Sequence, residues 1–191
     1  MKKSSVALIL IFFLVILDQF LKIWVKTTML SGESFSVLGN WFYIKFIENN
    51  GMAFGISFGE NIGKPLLSII RIGMVGFIIY YLFTVIKKKQ ANWTKIIILS
   101  LITAGAIGNT IDSVCYGVIW NDAPLLYGQV VDMFSFELFP IPRWIPFFGG
   151  ELFFPAIFNV ADSCLTLGII AAMIWNKNFF ASEKQKETQQ I

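Results

Sequence analysis

The chain has 191 residues, of which 56% are hydrophobic and only 14% are charged. A soluble domain carries about 25% charged residues, and a disordered chain does not hold 20 Phe and 6 Trp, so neither class fits. The net charge of +3 is too small and scattered for a nucleic-acid binder, and the absence of histidine excludes Ser-His-Asp and Cys-His catalysis and His-ligated zinc.

Four apolar stretches are long enough to cross a bilayer, which takes about 20 mostly apolar residues. We predict spanning helices at Val6–Trp24, Pro65–Ile86, Ile96–Cys115 and Pro155–Trp175. Lysines 2 and 3 precede the first stretch, as they would in a secretory signal. No small-x-small cleavage site follows, and the stretch continues into Asp18 and Lys22, so we interpret it as a retained helix.

The lysines predict the orientation. They cluster before the first span, between the second and third spans, and after the fourth, at positions Lys2, Lys3, Lys87, Lys88, Lys89, Lys95, Lys177, Lys184 and Lys186. The longer connections, 25–64 and 116–154, hold only Lys26, Lys45, Lys64 and Arg143. By the positive-inside rule both termini lie in the cytoplasm and the two long connections lie outside.

The predicted fold is an all-α membrane protein of four transmembrane helices with two structured outer connections. Alternating and aromatic residues in 35–58 predict a small extracytoplasmic β element between helices 1 and 2, with a turn at Asn49-Asn50-Gly51. Prolines and aromatic residues in 134–154 predict an interfacial loop between helices 3 and 4. Residues 1–180 form one domain, and 181–191 form a polar cytoplasmic tail.

Charged residues interrupt the apolar spans. Asp18, Lys22, Arg71, Asp112 and Asp162 all fall inside them, and each unpaired charge costs about 2.5–3.5 kcal/mol at the bilayer centre. The helical rise places all five in the outer half of the bilayer. Asp132, in the outer connection, follows the third span. The sequence therefore predicts a polar cluster near the outer surface.

Local spacing suggests how these residues interact. Asp18 and Lys22 are four residues apart on one helix, so we expect an ion pair that serves folding more than catalysis. The third and fourth spans both contain N-x-x-D-S, at 109–113 and 159–163. Three-residue spacing places each amide beside its carboxylate. For Arg71 we expect snorkelling to the outer interface or pairing with a carboxylate.

Without histidine, the acid–base groups are Asp, Glu and Lys. Two carboxylates that share a proton can cleave an amide, one activating water and the other protonating the carbonyl. Asp162 with either Asp132 or Asp112 could form such a pair. A Ser–Lys dyad using Lys22 is the alternative, but Ser113 and Ser163 directly follow aspartates. The two cysteines, Cys115 and Cys164, are expected to be buried apolar residues.

Five segments, taken in order, resemble the type II, or lipoprotein, signal peptidases, which are bacterial membrane aspartic proteases. They are Asp18-Gln19-Phe20-Leu21-Lys22, Asn49-Asn50-Gly51-Met52-Ala53-Phe54, Gly108-Asn109-Thr110-Ile111-Asp112, Val130-Val131-Asp132-Met133 and Phe158-Asn159-Val160-Ala161-Asp162-Ser163. Each segment alone is a weak signal. Five in order on a four-span scaffold make a strong one.

The resemblance implies a role for each matched residue. Asp132 and Asp162 would be the catalytic pair. Five residues would position the substrate or support the pair: Asn49, Gly51, Asn109, Asp112 and Asn159. Asp18 and Lys22 match the charged pair of the first span in the family. Ala53 matches a position that holds a small residue.

The resemblance also implies the substrate and the setting. The substrate would be a diacylglyceryl-modified prolipoprotein, cut just before its lipidated cysteine near the outer leaflet of the bacterial cytoplasmic (inner) membrane. Neither a metal nor an organic cofactor is required. The expected partners are these precursors and membrane lipids, with no nucleic acid, and the chain is expected to act as a monomer.

This sequence departs from the family pattern at two places. The third-span motif usually ends in Asp-Arg, whereas Ser113 follows Asp112 here, so we hypothesise that Arg71 or Arg143 substitutes. The segment 133–154 is also longer than usual. Two other functions stay open at this point: a small proton- or cation-coupled transporter that uses the intramembrane carboxylates, and a non-catalytic assembly factor.

Overall fold

A computed structural model describes residues 2–50, 62–88, 92–144 and 150–175. The helices are α1 (Lys3–Thr28), α2 (Gly63–Lys87), α3 (Trp93–Ile111), a short α4 (Gly117–Ile119) and α5 (Val160–Ile174). A π-helical turn, Asp112–Tyr116, joins α3 to α4. Within the described ranges, α1, α2 and the continuous stretch Trp93–Ile119 are long and apolar enough to cross a membrane, and α5 is a shorter apolar helix of 15 residues.

The fourth helix begins later than the sequence predicted. We expected it to start at Pro155, but Ile157–Phe158 form a strand and the helix starts at Val160. The side chain of Asn159 accepts a hydrogen bond from the Asp162 amide, while the Asp162 carboxylate accepts one from the Asn159 amide. This capping box satisfies two amides of the first turn and fixes the start of α5.

The sheet is larger than predicted and includes strands from both of the long connections. Strands β1 (Ser34–Leu38), β2 (Phe42–Asn49), β3 (Val130–Phe136) and β4 (Ile157–Phe158) pair antiparallel in that order. The interfacial loop was predicted at 134–154, and β3 takes up only the first residues of that segment. The largely apolar Val-Val-Asp-Met-Phe run is buried as part of β3, and it pairs with β2, more than 80 positions away in the chain.

Residues beyond β3 carry the aromatic side chains that the sequence pointed to. Phe139 stacks on Phe153 with ring centroids 4.8 Å apart, and Pro140 forms an isolated antiparallel bridge with Leu152. These residues lie on two neighbouring antiparallel segments, around Pro140 and Leu152, which we call the aromatic hairpin. The predicted turn residue Gly51, the neighbouring Ala53 and the tail 181–191 lie outside the described residues.

The start of α1, the end of α2 and the start of α3 lie together at one end of the helix bundle, and the sheet lies at the other. Lys3 sits over the ring of Trp93 at the start of α3, and Lys95 sits over Tyr81 near the end of α2. Between these ends, α1 and α2 expose large apolar side chains, among them Phe12 and Phe77 at about 70%. Such exposure is characteristic of a lipid-facing surface.

Helix α3 is the centre of the bundle, and small residues let α5 pack closely against it. A Cβ atom added to Gly105 would lie 2.3 Å from the carbonyl oxygen of Ala161 and 2.8 Å from Leu165 Cγ. Gly168 on α5 meets Ile102 at a similarly short distance. Without a hydrophobic force between helices in lipid, this close approach is a main source of association.

We therefore expect Gly105→Ala to destabilise the protein by about 1–3 kcal/mol, because the added methyl group overlaps backbone atoms of α5. The matched control is Gly76→Ala on α2, where an added Cβ has nothing within 4 Å. Thermal unfolding of the two variants in detergent checks this. Equal Tm values for both would show that the α3–α5 contact is not tight.

Candidate active site

One lysine side chain connects the helices around the polar cluster. Lys22 is fully buried, and its Nζ lies 2.9 Å from Asp18 Oδ2 and 2.8 Å from Asp112 Oδ2. The same Nζ donates to Asn109 Oδ1 at 3.0 Å. An ammonium group has three N–H donors, so each of them has an acceptor here. Lys22 thereby joins α1 to the end of α3 and the π-helical turn.

Asp18 carries this connection to α5. Its Oδ1 accepts a hydrogen bond from the backbone amide of Ala161 at 2.8 Å, in the first turn of α5. A carboxylate at a helix N-terminus is stabilised by the unpaired amides and by the helix dipole. The i,i+4 pair that the sequence predicted therefore also holds the start of the helix that carries Asp162.

Asp112 carries the same connection to the sheet. Its Oδ2 accepts from the backbone amide of Val131 at 3.3 Å, next to Asp132. Val131 and Met133 pack in an apolar cluster with Val25 of α1 and with Met29, which directly follows that helix. Because side chains alternate along a strand, Asp132 faces the opposite side of β3.

The two aspartates that the resemblance singled out meet at Asn159. The Nδ2 group of Asn159 donates to Asp132 Oδ1 at 2.8 Å, and its Oδ1 accepts from the backbone amide of Asp162 at 2.8 Å. Asn49 donates to the other oxygen of Asp132 at 3.0 Å, and Asn109 donates to Asp162 Oδ1 at 2.7 Å. Each carboxylate thus accepts from an asparagine amide on another element.

The environment of Asp132 favours its protonated form. The residue is 3% exposed, and burial raises the pKa of its carboxyl to about 6. The negative charge of Asp162 adds to the rise, whereas hydrogen bonds from Asn49 and Asn159 oppose it. Repulsion between two nearby carboxylates is how such pairs come to share one proton.

The repeated N-x-x-D-S motif works differently at its two sites. In the second copy, Asn159 and Asp162 are neighbours, as the spacing predicted. In the first copy the amide of Asn109 reaches Asp162 of α5, while Asp112 binds Lys22. A bundle offers each side chain partners on facing helices, and here those partners are better placed than the one along the same helix.

The π-helical turn explains the position of Asp112 and Ser113. Widening the helix releases backbone carbonyls, which accept from the following loop: Ser113 O from the Gly128 amide and Val114 O from the Leu126 amide, each at 3.0 Å. A Cβ on Gly128 would lie 2.0 Å from the Asp112 carbonyl oxygen, so only glycine fits. Such π-helical insertions are frequent at functional sites.

Of the two arginines proposed to replace the missing one at 113, only Arg71 reaches this region among the contacts described here. Its Nη1 donates to Ser113 Oγ. The Arg143 side chain instead lies beside Gly150 in the aromatic hairpin. Neither cysteine forms a disulfide; Cys164 is buried and Cys115 is half-buried.

Sequence reasoning assigned no role to Gln19, which the structure places inside the cluster. Its Nε2 donates to Asp112 Oδ1 at 2.9 Å and to Asp18 Oδ2 at 3.2 Å, and its Oε1 accepts from the Tyr116 hydroxyl at 3.1 Å. The available signal was its position between Asp18 and Lys22 on a predicted polar helix face.

Fold and site together define a class: a helical membrane protein that holds a carboxylate pair where three helices meet a small sheet. The chain belongs to the signal peptidase II family, because the model of the family described as "Signal peptidase (SPase) II" matches residues 10–177.

Individual relatives agree with this assignment. A lipoprotein signal peptidase of Porphyromonas gingivalis is 43% identical, with 90% of this chain and 83% of the relative covered. One of Staphylococcus aureus is 35% identical, with 93% and 91% covered. A bacterial membrane enzyme solved by the in meso method at 2.3 Å resolution superimposes with a TM-score of 0.67 at 31% identity, over 95% of this chain and 93% of that one.

We predict that Lys22→Met lowers the free energy of unfolding by about 3–5 kcal/mol, because it leaves two buried carboxylates without their cation. Lys45→Met is the matched control. Lys45 also forms an ion pair, with Glu137, but both side chains are about a quarter exposed, and such pairs contribute about 0–1 kcal/mol. Tm in detergent compares the two variants. A control that loses as much as Lys22→Met would contradict the central role of Lys22.

The raised pKa of Asp132 predicts a pH dependence of stability. Between pH 3.8, the ordinary value, and about 6, the folded protein binds more protons at Asp132 than the unfolded chain does. Stability therefore falls as the pH rises through this window. The Asp132→Asn variant lacks the decrease in stability that comes from ionisation of Asp132. Its Tm therefore changes less between about pH 4 and pH 6 than the Tm of the wild type does. Parallel Tm-against-pH curves for the variant and the wild type would contradict the assignment.

Proposed function

We propose that this protein is an aspartic endopeptidase that removes the signal peptide from diacylglyceryl-modified prolipoproteins, cutting just before the lipidated cysteine. The observation that carries the proposal is the asparagine that contacts both candidate catalytic groups. Asn159 binds the Asp132 side chain and the Asp162 backbone, and Asp162 lies close enough to Asp132 to perturb its ionisation. Membership of the signal peptidase II family and the names of the relatives support the substrate class.

The unequal surroundings of the two aspartates support a division of roles. Asp132 is buried and its pKa is about 6, so it is the better holder of the shared proton. Asp162 is partly buried in the first turn of α5, where the helix dipole favours a negative charge. In the proposed reaction, Asp162 takes a proton from water as the oxygen attacks the peptide carbonyl, and Asp132 gives its proton to the carbonyl oxygen. The tetrahedral diol then collapses: the C–N bond breaks, the amine leaves with the proton from Asp162, and one diol hydroxyl returns its proton to Asp132, which restores the pair.

The surrounding amides suit the reaction because they are fixed before the substrate arrives. Asn49 and Asn159 hold the two oxygens of Asp132, and Asn109 holds Asp162. Preorganised dipoles cost no rearrangement when charge develops in the transition state. A diacylglyceryl anchor would in addition confine the scissile bond to the membrane surface and orient it, which lowers the entropic cost of reaching the pair.

A transporter is the less favoured reading. A proton relay needs ionisable groups that follow one another across the membrane. Among the described residues, the buried carboxylates of the spans gather where α1, α3 and α5 approach the sheet, and they are joined to one another through Lys22 and Asn109. Family membership points to the peptidase as well.

We predict that Asp132→Asn and Asp162→Asn each abolish cleavage, because neither amide can exchange the proton that the reaction requires. The measurement is the gel shift of a purified diacylglyceryl-modified precursor incubated with purified protein in detergent. Asp122→Asn is the matched control: Asp122 is an exposed carboxylate that pairs with Lys26, and we expect cleavage at the wild-type rate.

Two outcomes would count against the proposal. If the folded double variant Asp132→Asn/Asp162→Asn still processed the precursor, the aspartate pair would not be the catalyst. If the wild type processed no precursor but carried a proton flux in vesicles, the transporter would be the correct function.

A further inference from the structure

The aromatic hairpin continues the pairing of β3 with β4. Phe134 pairs with Phe158 in the sheet, and Pro140 pairs with Leu152 further out, in the same register. Backbone hydrogen bonds of 2.7–2.9 Å flank this outer bridge. The hairpin is therefore a direct extension of the two strands, and its position is tied to theirs.

Both faces of the hairpin carry apolar side chains. Residues directly opposite each other in a strand pair share a face, and the faces alternate along each strand. Phe139 and Phe153 stack on one face, and Leu138 and Phe154 lie on the other. All four side chains are between 40% and 57% exposed. An antiparallel pair with one face in water carries polar side chains on that face, and at these positions neither face is polar.

The surroundings change where the hairpin leaves the sheet. Glu137, the last residue before it, forms an ion pair with Lys45, and Ser34 lies opposite Lys45 on β1. Beyond this polar patch, the charged residues of 138–156 are Arg143 and Glu151. Single exposed apolar residues are normal on any protein, whereas a contiguous apolar patch marks an interaction surface.

The packing of α5 against α3 gives the depth of this surface. Gly105 of α3 lies against Ala161 in the first turn of α5. Along the helix axis, Gly105 is about 18 Å from Trp93, where α3 begins. Trp93 and Lys3 lie together at the end of the bundle away from the sheet, and both residue types are typical of a membrane interface. Since the hydrocarbon core is about 30 Å thick, α5 begins about 12 Å inside its sheet-side boundary.

Strand β4 and the start of the hairpin occupy this remaining depth. Ile157–Phe158 directly precede Asn159, the N-cap of α5. A strand rises about 3.3 Å per residue, so at least about four residues before α5 lie within the hydrocarbon core or at its edge. The hairpin therefore leaves the sheet where acyl chains meet headgroups. Headgroups and water can bind open backbone groups at this level, which hydrocarbon cannot do.

We propose that the aromatic hairpin is a membrane-docking element, whose apolar side chains insert into the lipid leaflet at the sheet end of the bundle. Bilayer lipid is the expected occupant, because the hairpin leads through β4 into α5, whose outward side chains, such as Leu167 and Met173, are also apolar and exposed. The sequence predicted an interfacial loop here, and the structure identifies the inserting side chains. Docking holds the outer end of β3, the strand that carries Asp132, at the membrane.

The test is site-directed spin labelling of the full chain in phosphatidylcholine vesicles. Cysteines are introduced one at a time, as Leu138→Cys and Phe153→Cys, in a Cys115→Ala/Cys164→Ala background. Electron paramagnetic resonance then measures how accessible each label is to oxygen, which concentrates among acyl chains, and to a nickel chelate that stays in water.

Two labelled positions serve as controls. Phe77→Cys lies on the lipid-facing surface of α2, and Ser34→Cys lies on the polar face of the sheet opposite Lys45. We expect both hairpin labels to resemble the label at 77, with oxygen access retained. Because a polar solute enters an apolar layer only at a high cost, their nickel access should fall about 10-fold or more below that at 34.

Nickel access at either hairpin position equal to that at 34 would overturn the proposal, since the hairpin would then lie in water. Loss of access to both reagents would overturn it as well, because a second copy or another protein would then cover the surface. Tm in detergent shows whether each variant folds. If Phe153→Cys does not fold, Trp144→Cys replaces it, at a side chain that is 82% exposed. A wild type that cleaves no precursor would overturn the proposed function and leave this inference intact.

Discussion

The structure depends on one buried ammonium group. Lys22 binds the carboxylates of Asp18 and Asp112 and the amide oxygen of Asn109. The two carboxylates in turn accept hydrogen bonds from other elements. Through Asp18, Lys22 reaches the first turn of α5, and through Asp112 it reaches β3. A charge inside a membrane is costly unless it is paired, so Lys22 and its two carboxylates stabilise one another. The requirement to pair one cation thereby fixes the relative positions of the helices and the sheet.

The two candidate catalytic groups come from elements of different kinds, and their surroundings differ for that reason. Asp132 stands on a buried strand, where removal from water favours the neutral acid. Asp162 stands in the first turn of a helix, and the helix dipole favours negative charge at this end. Asn159 is the N-cap of the helix that carries Asp162. Its side chain binds the Asp132 carboxylate and the backbone amide of Asp162. Two identical side chains thus lie in different electrostatic surroundings.

Two cations lie on one side of the pair, where Asp18 and Asp112 balance the charge of Lys22, and neutral amides lie on another side. Lys22 and Arg71 approach from α1 and α2, and both are fixed to the π-helical turn, Lys22 through Asp112 and Arg71 through Ser113. The amides of Asn49 and Asn109 approach from the sheet and from α3. A turn of wider helix lets Gly128 and its loop pack against the backbone at this point. The irregular turn is therefore part of how the site is built.

The sequence alone determined the features that depend on neighbours along the chain. Apolar length predicted spanning helices within a few residues at α1 and α2, and spacing predicted the contacts of Asp18 with Lys22 and of Asn159 with Asp162. The ordered segments pointed to the family to which the chain belongs.

Only the tertiary structure decided which distant elements meet. It paired β3 with β2, turned Asn109 toward Asp162 and brought Arg71 to Ser113. The periodicity of a helix or strand tells which face a residue occupies, but its partner across 40 or more positions depends on how the helices pack and on the register of the sheet. In a membrane, where every buried charge must find a partner, that packing selects the pairs.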